Sequence, residues 1–372
     1  MKIKFTDLNK INKKYLSVIK MSFSNIVKKD TFIGGKIVKK FEDKFSNYCN
    51  SKYCISVANG TDALEIAIES LNLPSGSEVI IPANTWISAA EAVLRNNLKV
   101  VFCDIKLKDY TICPEDLKRK ITNKTKLVIV VHLYGNVVDM DSILKITKKR
   151  NIKIIEDCAQ AIGSKYKNKH VGVLGDIGTF SFYPSKNLGC FGDGGCIVTN
   201  APKIAEKCKR IKNHGSLIKH DHLCLGRNSR LDTIQAAILI KKMNNLNNLL
   251  LKRKILANVY YDQLKNINEL NCVKKNSFSN FSYHQFVIRT RHRDLLMNFL
   301  KKNKIETMIH YPKMLTEISF LKKFNDKKLN NSFKLGSYIL SLPISEEHSV
   351  SEVIYVTKKI KSFFKSTFNK LK

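Results

Sequence analysis

No CxxC pair occurs in this sequence, although it holds ten cysteines, and each of the ten stands alone. Single thiols of this kind exclude the usual zinc-ribbon spacing and suit a reducing compartment better than a disulfide framework. No stretch of about eighteen consecutive apolar residues is present, so a membrane-spanning helix is not expected. The opening MKIKFTDLNKINKKYLSVIK lacks the apolar block of a secretory signal, and the expected location is the cytoplasm. Neither GxGxxG nor GxxxxGK[ST] is found, which argues against dinucleotide and P-loop chemistry.

Acidic residues are scarce, 31 against 65 lysines and arginines, for a formal net charge of +34. A polyanion partner would ordinarily be considered. The lysines are spread along the whole chain, however, and no basic helix with interleaved aromatics stands out, so nucleic acid is not expected as a partner. Compositional bias accounts for the charge, with a phosphorylated small substrate as a further use. His220-Asp221-His222 is the nearest approach to a metal motif, but no further ligands are placed by the sequence, and no metal is expected.

What is present is an alternation of short apolar runs and helical periods. Tyr53–Val57, Glu78–Pro82, Lys99–Asp104, Leu127–Val131, Lys153–Ile155, Gly178–Tyr183 and Gly195–Thr199 read as strands of a mostly parallel sheet covered on both faces. Helical periods run through Ile37–Phe45, from Ala63, through Ala89–Val93, over Asp139–Arg150 and, as one long helix or two successive ones, along Leu231–Leu264. A strand at Gln285–Ile288 and helices at Leu295–Leu300 and Val350–Phe364 follow. The pattern predicts an α/β fold with a large domain over 1–250, N-terminal arm included, and a smaller α+β domain over 251–372.

Three places along this pattern carry chemistry. Strand, glycine turn and helix at Asn59-Gly60-Thr61-Asp62, with Thr61 or Asp62 near the N-cap, make either an ordinary capped helix or an anion site for phosphate. Asp157, at a strand's carboxyl end, is either a cap or a carboxylate placed where ligands bind open sheets. Beside a pyridine nitrogen it would hold that nitrogen protonated. Lys186 closes a short strand and precedes a glycine-rich turn, so its amine stands where loops converge and can act as a nucleophile toward carbonyls, pyridoxal phosphate among them. The sole tryptophan, Trp86, sits at a strand-to-helix junction; a core position is expected there, although its shape also suits stacking on a flat ring. Cys190 and Cys196 read as packing residues and Asp193 as part of a turn.

Taken together, NGTDAL at 59–64, EDCAQAIGS at 156–164, SFYPSKNLGCFGDGG at 181–195, GRNSRLDTIQAA at 226–237 and HYP at 310–312 resemble the DegT/DnrJ/EryC1/StrS family of nucleotide-sugar aminotransferases. The resemblance implies an aspartate-aminotransferase-like fold (fold type I), pyridoxal 5'-phosphate as cofactor, and a homodimer with shared active sites. It implies that Lys186 is the Schiff-base lysine, that Asp157 partners the pyridine nitrogen, and that Gln160 and Trp86 lie against the ring. Gly60, Thr61 and Ser181 would hold the phosphate, with Asn228 reaching it from the neighbouring subunit. Tyr183, His310 and Tyr311 would face the substrate.

The activity so implied is transfer of an amino group from L-glutamate to a keto-deoxy nucleotide sugar for surface-polysaccharide or glycoconjugate biosynthesis. The aromatic Tyr183 before the lysine points to a dTDP- or UDP-linked 3-keto hexose. Family members that aminate C4 more often carry histidine there, and C4 amination of a 4-keto-6-deoxy sugar is the alternative. A non-catalytic regulatory or binding protein on the same fold is a third, from a different class; intact Lys186, Asp157 and Gln160 speak against it.

Overall fold

The computed structural model describes residues 1–274, 276, 278–324, 329–333 and 335–368. The strands, in chain order, are β1 Tyr53–Val57, β2 Glu78–Pro82, β3 Lys99–Cys103, β4 Thr125–Val131, β5 Lys153–Asp157, β6 Lys165–Tyr166, β7 Lys169–His170, β8 Ile177–Ser181, β9 Gly195–Thr199, β10 Asn271–Cys272, β11 Ser279–Asn280, β12 Phe286–Arg289 and β13 Ile339–Leu342. Seven of them form one sheet in the order β1-β9-β8-β5-β4-β2-β3. Its pairings are parallel except those made by β9, which runs antiparallel to both β1 and β8. The small sheet β10-β12-β13 is antiparallel.

Strand alternation divides the sheet's side chains between two cores. Leu127, Ile129, Ile155 and Ile177 join one cluster with helices α4 (Gly60–Ser70), α5 (Ser88–Arg95) and α8 (Pro202–Ile211). Val128, Val130, Ile154 and Phe180 join the other with α3 (Gly35–Cys49) and α9 (Thr233–Met243). Helix α3 buries Val38, Phe41, Phe45 and Cys49 at helical spacing. Its Phe45 ring meets Phe180 edge-on at 5.1 Å and Phe182 at 5.3 Å. Burying each such ring is worth roughly 2–3 kcal/mol, so the strand that leads to Lys186 is braced from behind.

A third cluster gathers β12, β13, α11 (Arg293–Lys302) and α12 (Val350–Phe368) with Tyr134 and with Ile3 from the chain's start. The helical period over 231–264, which the spacing allows as one long helix or two successive ones, is two helices, α9 and α10 (Leu246–Leu264), separated at Asn244-Asn245, two residues with low helix propensity. The α10 helix crosses position 250.

One edge of the large sheet collects the carboxyl ends of its parallel strands. Register pairs Val131 with Asp157, Asp157 with Thr179, Ser181 with Gly195, and Val57 with Gly195. Segments that follow β1, β2, β4, β5 and β8 therefore emerge side by side, which is where open α/β sheets bind ligands.

Candidate active site

At the end of β1 the chain turns into α4. The N-cap is Asn59, whose Oδ1 accepts the Asp62 amide at 2.8 Å, so Thr61 and Asp62 lie near the N-cap as expected. Gly60 and Thr61 fall in the first helical turn, where amides have no intrahelical partner and the dipole favours negative charge. Thr61 Oγ1 lies 2.7 Å from Ser88 Oγ, at the start of α5. A Cβ added at Gly60 would stand 2.7 Å from the Ser181 Cβ. Gly60, Thr61, Ser88 and Ser181 thus share one small polar cradle, and glycine is required there by the close approach of β8.

Next to it stand Asp157 and Lys186. Asp157 is 7% exposed, and its Oδ1 accepts the Ala159 amide at 3.0 Å. No helix follows it, so it is not a helix cap. Burial raises its pKa, opposed by the Ala159 amide and by the positive field of Lys186. Lys186 is partly buried, and its backbone is turned by a bond from its N–H to the Tyr183 carbonyl at 2.8 Å. Burial lowers its pKa from 10.5 to about 8, with Asp157 pulling the other way. A nucleophilic amine needs such a shift, because only the free base attacks.

The floor and far wall come from distant segments. Gln160 accepts the Tyr134 amide on Oε1 at 2.8 Å and donates from Nε2 to the Tyr311 hydroxyl at 2.8 Å. The Tyr311 ring is 5.3 Å from Trp86, and Trp86 is 57% exposed. The expectation of a core tryptophan is therefore corrected: the side chain stands at the open side of the site because α5 starts only at Ser88. His310, joined to Tyr311 by a cis peptide, has Nδ1 2.9 Å from Ser341 Oγ, and burial followed by the nearby Lys186 lowers its pKa to about 4. Tyr134 donates its hydroxyl to the His310 carbonyl. Asn84, 1% exposed beyond β2, has neither amide atom hydrogen-bonded among the described residues.

Of the other residues singled out in the sequence, Tyr183 lies beside the cradle, its N–H donating to Ser181 Oγ at 3.3 Å. Tyr183 is exposed, and so is Asn228, whose neighbour Ser229 accepts the Ala58 amide on Oγ at 3.1 Å. Cys190 and Cys196 are buried, and Asp193 is exposed in its turn. His220, Asp221 and His222 are exposed on one loop.

Sequence reasoning missed two buried groups behind the site. Glu156, fully buried, accepts amides from Gly172 at 2.9 Å and from Leu174 and Gly175 at 2.7 Å, and meets His132 Nε2 at 3.0 Å. His132 Nδ1 accepts the Val138 amide at 3.2 Å, which leaves Nε2 to donate to Glu156. Cys158 lies near this pair, but the His132 and Glu156 atoms that would ligate a metal are already spent on hydrogen bonds. The second group is Asn187 and His284. An acidic residue directly before Asp157 was a visible signal for the first, whereas His284 lies 98 positions from Lys186 and carried none.

An open, mostly parallel seven-strand sheet with one antiparallel strand, and a lysine and a buried aspartate at its ligand edge, define the fold-type-I aminotransferase class. The chain belongs to the DegT/DnrJ/EryC1/StrS aminotransferase family, whose sequence profile matches residues 17–361. It is 39% identical over 362 residues to the dTDP-3-amino-3,6-dideoxy-alpha-D-galactopyranose transaminase of Aneurinibacillus thermoaerophilus, covering 97% of this chain and 99% of that one. It is 37% identical to a pleiotropic regulatory protein of Geobacillus stearothermophilus, covering 98% and 99%. With the UDP-2-acetamido-2-deoxy-3-oxo-D-glucuronate aminotransferase of Pseudomonas aeruginosa it shares 36% identity, covering 92% and 95%. Among solved structures, S. venezuelae DesV in complex with a ketimine intermediate superposes with a TM-score of 0.95 at 30% identity, covering 98% of each chain. Bacillus subtilis NtdA with bound cofactor PMP superposes with a TM-score of 0.91 at 28% identity, covering 98% of this chain and 85% of that one. The chain is a sugar aminotransferase, and none of its described helices is long and apolar enough to cross a membrane.

Proposed function

We propose that this protein moves the amino group of L-glutamate to a 3-keto hexose carried on dTDP or UDP, with pyridoxal 5'-phosphate as cofactor, in surface-polysaccharide or glycoconjugate biosynthesis. The observation that carries the reading is a single edge of the sheet bearing a lysine amine of lowered pKa, a buried carboxylate without a hydrogen-bonded cation among the described residues, and a polar helix start. These fit the three parts of that cofactor: its aldehyde, its ring nitrogen and its phosphate. When bound, the cofactor supplies an electron sink.

In this reading Lys186 would hold the cofactor covalently, and its amine, once free, would take the proton that leaves the donor's α-carbon. Asp157 keeps the ring nitrogen protonated. Gly60, Thr61 and Ser181 bind the phosphate by amides and hydroxyls, with Asn228 supplied by a second subunit. Gln160 and Trp86 hold the ring, and Tyr183, His310 and Tyr311 line the sugar side. Residues 1–250 then form the cofactor-binding part and 251–372 the smaller domain.

A homodimer is supported by exposed apolar side chains: Leu16 and Phe23 on helix α2 (Leu16–Lys29), and Leu225, 90% exposed, on the loop before Asn228. Amination at C3 is supported by Tyr183 and by relatives named for 3-amino and 3-oxo sugars. The test is incubation with glutamate and a panel of 3-keto and 4-keto nucleotide sugars, with products identified by mass and NMR. A 3-amino product with release of 2-oxoglutarate is expected. Amination at C4 overturns the choice of carbon. If no member of the panel is turned over, the choice of a dTDP- or UDP-linked acceptor is overturned.

A further inference from the structure

Asn187 follows Lys186 directly, and its side chain is buried against the segment 282–285. Its Nδ2 donates to the Ser282 carbonyl at 3.1 Å and faces the Ile162 carbonyl at 3.5 Å. Two carbonyls can be met only by the amide nitrogen, so Oδ1 is the atom turned to His284, whose Nδ1 lies 3.3 Å away. An oxygen acceptor at that place requires Nδ1 to carry the proton. His284 is thereby set as the neutral tautomer with Nε2 as its acceptor.

The segment that carries His284 is itself fixed on the ligand edge. Ser282 N–H donates to Ser164 Oγ at 3.2 Å, Ser164 Oγ donates to the Gly135 carbonyl at 2.6 Å, and Gln285 N–H donates to the Tyr134 carbonyl at 3.2 Å. Tyr283 adopts φ +50°, a left-handed conformation that a tyrosine holds only when its surroundings impose it. Arg253 Nη1 donates to the Tyr283 and Ile344 carbonyls at 3.2 and 3.0 Å, and its guanidinium pairs with Glu346 at 2.9 Å in the interior. The charged and titratable groups acting on the His284 ring are Lys186, Arg253 and His310. Burial, with those neighbours added, keeps the imidazole uncharged.

We propose that His284 is a positioning residue of the transamination, acting through Asn187: its Nδ1–H bond locks the residue that follows Lys186, and so fixes the lysine's backbone. The inference rests on the aminotransferase reading and on Lys186 as the covalent residue. No motif in the chain includes His284, and only the fold sets it against Asn187.

His284→Phe removes the donor while filling the space, and His284→Asn places an amide N–H where Nδ1–H stood. Two quantities are read in the full chain: kcat and KM with glutamate, and the rate at which added pyridoxal phosphate becomes borohydride-fixable on the Lys186 peptide of cofactor-free protein. His284→Phe is expected to slow both attachment and kcat by roughly tenfold or more, since small misplacements of a reacting group carry penalties of that order. KM is expected to stay within about twofold, because the lost contact acts on the lysine and not on uniform substrate binding. His284→Asn is expected to recover most of the rate. Should His284→Phe not fold, Asn187→Ala removes the same bond from the other side and carries the same expectations. Wild-type rates in His284→Phe, or equal impairment in His284→Asn, would overturn the proposal. Lys186→Ala is run alongside: if its intact mass still shows borohydride-fixed cofactor to the wild-type extent, or if it turns over, the parent reading fails, whereas its inactivity beside an unimpaired His284→Phe sinks the His284 inference alone.

Discussion

Gln160 and Tyr311, separated by 151 positions, meet through a hydrogen bond of 2.8 Å from amide nitrogen to phenol oxygen. The other end of the same amide accepts the Tyr134 N–H at 2.8 Å, so one side chain ties the loop after β4 to the segment that enters the smaller sheet. Orientation of the amide is thus settled from both ends. Tyr311→Phe removes the phenol and leaves Gln160 Nε2 without that partner. The expected result is a five- to tenfold fall in kcat/KM for the keto sugar, about 1–1.5 kcal/mol for one hydrogen bond. Cofactor affinity, measured by absorbance titration, should change by less than about twofold if Tyr311 serves the sugar side.

Lys186 titrates just above neutrality, so the ammonium form dominates below that pH. With its pKa at about 8, the free-base fraction rises through that pH, and attachment of pyridoxal phosphate to cofactor-free protein should show its midpoint there. Asp157 raises the lysine's pKa by its negative charge, so Asp157→Asn should move the midpoint to lower pH. A shift to higher pH would contradict the assigned sign. Lys186→Ala should abolish borohydride-fixed cofactor altogether, as read by intact mass.

Gly60→Ala tests the anion cradle. The added methyl would stand 2.7 Å from the Ser181 Cβ, closer than carbon atoms tolerate, and a clash of this kind costs about 1–3 kcal/mol. Retention of pyridoxal phosphate should weaken by about tenfold or more, while inorganic phosphate should protect the wild-type protein better than the variant in thermal melts.

Glu156→Ala removes the acceptor that holds three amides of the 172–175 turn and the His132 imidazole. The Gly172 amide and the His132 ring are interior and the Leu174 and Gly175 amides half-buried, and buried donors left unsatisfied cost about 1–3 kcal/mol apiece before relaxation. Unfolding by urea should register a loss of at least about 3 kcal/mol. Glu156→Gln keeps the shape but brings an amide that cannot accept on both ends, and an intermediate loss is expected.

Several features could be read from local patterns because their causes are local. Runs such as Leu127–Val131 have no polar break, so they had to lie inside a covered sheet, and α3 shows its buried face in the spacing of Val38, Phe41 and Phe45. Which residue of Asn59-Gly60-Thr61-Asp62 is the cap is open in the sequence, since Asn, Thr and Asp all cap helices and only the observed backbone selects Asn59. Trp86 was expected inside because large aromatics usually are. Its exposure depends on where α5 begins and on Tyr311, and neither is a property of its neighbours in the chain.

The α/β architecture, the covered parallel strands and the family follow from the chain's local order, because periodicity and ordered motifs are short-range properties. Which side chains meet at the ligand edge is settled by packing. Gln160 with Tyr311, Gly60 against Ser181, Glu156 with His132, and Asn187 with His284 are all products of strand register and of the way the smaller sheet docks. The lowered pKa of Lys186 has the same origin, since burial and a neighbouring carboxylate arise only when segments far apart in the chain are packed together.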